Sequence, residues 1–92
     1  MINEKIQIVK DAVKSYVPAI RGKGRMTGKR FTRECRKVWS ESNEINAEYY
    51  KLFEQFIVSI EARHDGFVYI RVATRIHVGR PKNVEAMGFI VR

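Results

Sequence analysis

Residues 67–78, FVYIRVATRIHV, constrain this chain more than any other stretch. Val68, Ile70, Val72, Ile76 and Val78 alternate with Tyr69, Arg71, Ala73, Arg75 and His77. A period of two is the signature of a half-buried strand. One face is core, and the other carries a tyrosine, two arginines and a histidine. A short turn over 79–83 follows, with Arg80 and Lys82 beside Gly79 and Pro81. Residues 84–91 then read as a second strand, antiparallel to the first, with Gly88 expected to mark a bulge.

The chain before this hairpin is helical. Ile2, Ile6, Val9, Val13 and Tyr16 form one stripe on a 3.6-residue period. A helix over 3–17 is predicted, capped by Asn3 and stopped by Pro18. Residues 19–27 read as a mobile glycine-containing loop. A second helix is predicted over 28–40, with Phe31, Cys35, Val38 and Trp39 on one face and cations on the other. A third is predicted over 43–61, capped by Ser42 or Asn43. Ile45, Tyr49, Leu52, Phe53, Phe56, Ile57 and Ile60 trace its apolar arc. The competing reading ends this helix near Gln55 and makes 56–62 a strand, paired across an Arg-His-Asp-Gly turn. The helical period holds through Ile60 with only Val58 out of phase, so the long helix is expected, with Gly66 as its left-handed stop.

The expected fold class is therefore α+β, three helices followed by an antiparallel β-hairpin, in one small domain over 1–92. That order resembles a winged-helix domain lacking its usual short first strand, and the resemblance is of element order alone. In winged helices the third helix usually enters the major groove. Here Glu44, Glu48 and Glu54 outnumber Lys51 on it, which moves the expected binding face to the second helix.

Charge is concentrated. Residues 21–37 hold Arg21, Lys23, Arg25, Lys29, Arg30, Arg33, Arg36 and Lys37 against Glu34 alone, a net +7 in a chain of +8. Such a patch, with glycines inside it, reads first as a surface for phosphates. Arg71, Arg75, Arg80 and Lys82 add cations from the hairpin. Tyr69 with Phe67 offers rings on which bases stack in single-strand-binding sheets. The primary expectation is a non-enzymatic nucleic-acid-binding domain, for DNA or RNA. Plain solvation of the patch is the bland alternative. A second class is a phage- or virus-type inhibitor or adaptor, whose basic face binds an acidic protein surface or a nucleic-acid-handling host complex. A third is a small basic ribonuclease using His64 and His77 as acid and base.

Other classes are weaker. A hydrophobic fraction of 45% with ten aromatics marks a folded domain, not a basic tail. The single cysteine, Cys35, allows no internal disulfide and falls on an apolar face, which favours a core residue in a reducing, intracellular setting. Cys35, His64 and His77 are too few and too scattered for a metal site. The Walker spacing is absent, so no cofactor is expected. No apolar run spans a membrane, and the opening MINEKIQIVK is charged where a signal peptide is apolar. An exposed strand at 84–91 could pair with its copy in a homodimer.

Overall fold

The structure is a computed structural model and describes residues 2–39 and 44–91. Three helices, α1 (Ile2–Tyr16), α2 (Gly28–Val38) and α3 (Glu44–Phe56), lie on one face of a four-stranded antiparallel sheet. Its strands are β1 (Met26–Thr27), β2 (Ile57–Ala62), β3 (Phe67–His77) and β4 (Arg80–Ile90), in that spatial order. The class is α+β, with two strands beyond the expected hairpin.

Helix α1 buries Val9, Val13 and Tyr16 and leaves Ile8 exposed. Asn3 lies inside its first turn, not at its cap. A 3-10 turn over Val17–Ala19 accommodates Pro18. Tyr16 is the hub of the helical layer. Its ring meets Trp39, Tyr50 and Phe53 edge-on, with centroids 5.0, 5.8 and 5.4 Å away. Edge-to-face packing of this kind adds to the burial of the rings themselves. Burial, then the neighbouring Tyr50, pushes the Tyr16 hydroxyl up to about 12.

The long third helix is not formed. Helix α3 stops at Phe56, and Ile57–Ala62 is strand β2, paired with β3. The register shifts between Ile57, opposite Val72, and Ser59, opposite Arg71. Val58 is thus an extra residue, a β-bulge. The bulge puts Ile57 and Ile60, three apart in sequence, on one buried face. Three-residue spacing is what a helix would show, so the bulge imitates the helical period. Gly66 is left-handed, with φ of 90°, but it serves the β2–β3 hairpin turn. Asp65 Oδ1 accepts from the Phe67 N–H in the same turn. The expected caps Ser42 and Asn43 lie outside the described residues.

The second hairpin is tighter than expected. Val78 and Gly79, with φ of 50° and 72°, form its two-residue turn, and β4 begins at Arg80. Positive φ at both central residues matches the twist of the flanking strands. Val78 is therefore at the tip and 84% exposed, not in the core. β4 is an edge strand, which tolerates Pro81. Gly88 marks no bulge, since pairing with β3 runs unbroken through Tyr69 opposite Gly88. A Cβ there would come within 2.7 Å of the Phe67 ring. The glycine makes room for that ring to lie across the strand pair.

Helix α2 buries Gly28, Phe31, Thr32 and Cys35, at the spacing of one stripe. Val38 departs from the expected face and is 60% exposed, while Trp39 packs at the core margin. Thr32 Oγ donates to the Gly28 carbonyl at 2.8 Å, so its burial is satisfied. Gly28 has ordinary φ, but a Cβ on it would overlap the Ile57 carbonyl oxygen and lie 2.5 Å from that of Phe53. Backbone on both sides leaves no cheap relief. Gly28→Ala should therefore destabilise the fold by about 2 kcal/mol, lowering Tm by roughly 8–16 °C. A thermal melt within a degree of wild type would refute this close approach.

Candidate nucleic-acid interface

The basic segment folds into three differently anchored parts. Loop residues before β1 are tied down, not loose. Gly22 N–H donates to Ala62 O at 2.7 Å, and Arg21 donates to Val91 O at 3.2 Å. The Gly22 backbone, with φ of 76°, lies against the His64 imidazole. Lys23 reaches α2, where its Nζ lies 3.2 Å from Glu34. Lys37 approaches the same carboxylate at 3.4 Å. The Glu34 side chain is only 12% exposed. The Lys23 hydrogen bond, assisted by Lys37, holds its carboxyl below the usual 4.5.

On α2, Lys29, Arg30, Arg33, Arg36 and Lys37 all face solvent. Thr27 caps the helix by accepting from the Arg30 N–H at 3.2 Å. Arg36 lies 3.7 Å from Glu54, with its guanidinium 5.3 Å from the Tyr50 ring centroid. Arg25, Lys29, Arg30 and Arg33 make no ion pair among the described residues. The patch thus divides into cations that build the fold and cations left to solvent.

The sheet face turned away from the helices is open. Tyr69 is 46% exposed, and Arg71 is exposed next to it. The Phe67 and Tyr69 rings sit 4.6 Å apart between centroids. Across from them on β4 stand Ile90, Gly88 and Ala86. Arg25 joins this face and lines a shallow groove of about 530 Å³ with Ser59, Glu61, Tyr69 and Arg71. Ala73, although in phase with these residues, is fully buried.

Beyond Val72 the β3–β4 hairpin runs past β2 as a two-stranded arm, with Ala73 buried and Ile76 still packed against the core. Arg75 stands opposite Lys82, and His77 opposite Arg80. His64 lies in the turn before β3 and His77 at that strand's far end. An eleven-residue strand separates them, a span on the order of 30 Å. The two histidines are not brought together within one chain. Cys35 is fully buried, and burial pushes its thiol up to about 12, far from a thiolate.

Two features of the site were missed by sequence reasoning. Glu34 as a clamp on Lys23 depends on the loop folding back. Arg25 reaches the sheet face through a two-residue strand, too short for any periodicity to reveal. Among the described residues no helix is long and apolar enough to cross a membrane, and no cluster of three His, Cys, Asp or Glu is placed to hold a metal ion.

Removing the clamp has a definite sign. Because the folded carboxyl is depressed, the Glu34 contribution to stability is present above about pH 4.5 and lost as pH falls through the lower folded value. Glu34→Gln should abolish that acid-side loss, release Lys23 and Lys37, and tighten binding to a polyanion such as heparin. Weaker polyanion binding in Glu34→Gln, with the fold intact, would count against this role.

No family model matches the chain, and no curated protein or solved structure does so either.

Proposed function

We propose that the chain is a small nucleic-acid-binding domain whose helix α2 lies along a phosphate backbone, with no catalysis of its own. One observation carries this reading: its cations stand where folding disfavours them. Lys29 and Arg30 occupy the first turn of α2, which holds no acid. That is the positive end of the helix macrodipole, where cations are unfavourable. Lys29, Arg33 and Lys37 follow one another at intervals of four, the spacing at which like charges repel. On the arm, Arg75 opposes Lys82, and like charges directly across a sheet destabilise it.

Each such arrangement costs a few tenths of a kcal/mol up to about 1. A face kept only for solubility would mix signs and avoid these positions. An anionic partner removes the repulsion at all of them. Arg71, Arg75, Arg80 and Lys82 would extend contact from the helix to the hairpin arm. Arg21, Lys23 and Lys37, already bonded, would hold the surface in shape.

The winged-helix order is not reproduced: a short strand β1 does stand between α1 and α2, but three strands follow α3 where that order has two. The separation of His64 from His77 supports a binding role over a ribonuclease.

Binding should weaken with salt. About six neutralised phosphates give a slope of log K against log salt near −5 on duplex DNA. Reversing Lys29, Arg30 and Arg33 together to Glu should cut affinity more than about a hundredfold, since each lost phosphate contact removes part of that term. The same variant should melt no lower than wild type, because acids favour the first turn. Fluorescence anisotropy beside a thermal melt reads both. Retained affinity in the reversed variant would sink the proposal. So would capture of one stoichiometric acidic protein after nuclease treatment by a chain that binds no oligonucleotide.

A further inference from the structure

The geometry points to the open sheet face as a binding site for single-stranded nucleic acid, with an unpaired base stacked on Tyr69. This inference deepens the nucleic-acid reading of α2 and rests on it. It names the form of ligand, which the helix alone does not.

The argument starts from the floor of the face. Tyr69 stands opposite Gly88, and Arg71 opposite Ala86. These are the two smallest side-chain positions available, so the β4 side of the face is flat. The Phe67 ring fills the space a Cβ at Gly88 would take and lies against Tyr69. Tyr69 is therefore buttressed on one side, with nearly half its surface left to solvent. A supported, exposed ring over a flat floor is what a base needs in order to stack. Among the described residues no helix covers Tyr69 or Arg71, and both are exposed.

The rim supplies the remaining chemistry. On β2, Glu61 stands opposite Tyr69 and Ser59 opposite Arg71. A carboxylate there accepts from exocyclic amino groups, and a hydroxyl serves either kind of base edge. Arg25 and Arg71 line the same groove and suit the flanking phosphates. From Arg71 the same strand face leads past the buried Ala73 to Arg75 and His77, with Lys82 and Arg80 across from them. The face thus grades from aromatic to cationic along one strand. That order matches a chain whose bases turn inward at one end and whose backbone runs along the arm.

A duplex cannot use Tyr69 in this way. Its bases are stacked on one another and offer no free ring face at the surface. Duplex binding by this protein would rest on phosphate contacts alone and would not depend on Tyr69.

Three proteins and three ligands test the inference. Anisotropy is read on wild type, Tyr69→Ala and Tyr69→Phe, with a short unstructured RNA, the DNA of the same sequence, and the corresponding duplex. Tyr69→Ala should weaken single-strand binding about tenfold to a hundredfold, the range for loss of one base–aromatic stack. It should leave duplex binding and the salt slope unchanged. Tyr69→Phe keeps the ring and should stay within about twofold of wild type. Circular dichroism checks that the exposed substitution leaves the fold in place. The RNA and DNA arms show whether the sugar matters to the site.

If Tyr69→Ala binds single strands like wild type while the α2 charge reversal loses affinity, the sheet site is wrong and the helix reading stands. Equal losses on single strand and duplex would also overturn it. If wild type binds none of the three ligands, both readings fall together.

Discussion

The fold turns on how closely two backbones approach at Gly28. The first residue of α2 sits against the carbonyls of Phe53 and Ile57, where helix α3 gives way to β2. A side chain there would push α2 off the junction. The approach seats Phe31 and Cys35 in the core. It also aligns β1, one residue earlier, with β2. With one stripe of α2 buried, the opposite stripe must face water. The cationic row is presented by a packing constraint, not by the charges themselves.

The charges then work against the fold that displays them. Cations at the start of α2, at four-residue intervals along it and in the facing Arg75–Lys82 pair of the arm all lower stability. The structure answers this in part. Glu34 draws in Lys23 and Lys37, and Glu54 with the Tyr50 ring receives Arg36. Compensation falls mostly on the later turns, where the helix dipole already favours cations. At the first turn Lys29 and Arg30 have neither the dipole nor, among the described residues, an acid to support them. Residual cost at the first turn of α2 and on the arm is the pattern expected where function opposes stability.

Much of this was legible in the sequence because simple periods carry it. The strand 67–77, the helix before Pro18 and the two faces of α2 follow from alternation and from the 3.6-residue repeat. Where reading failed, geometry had broken the period. Val58 adds one residue to β2, so Ile57 and Ile60 share a face at helical spacing and the strand reads as helix. The turn at Val78 uses a β-branched residue at positive φ, which no turn preference would select. Gly88 looked like a bulge because its true reason, the Phe67 ring above it, lies on another strand. For the site, the helix row was readable, since local periodicity fixes it. The division into bonded and unpaired cations was not, because Glu34 meets Lys23 only after the loop has turned back.

Thr27 links the helix row to the sheet face through the backbone. Its backbone pairs with Ser59 as the end of β1, while its hydroxyl caps α2. Two residues before it, Arg25 lines the sheet groove. Two residues after it, Lys29 opens the cationic helix. Five consecutive residues therefore join the two surfaces through a paired strand and a capped helix end, with no free linker between them. A rigid junction of this kind fixes the angle between the two surfaces. Glu34, by bonding Lys23 and Lys37, fixes the loop against α2 and in doing so occupies two of the cations.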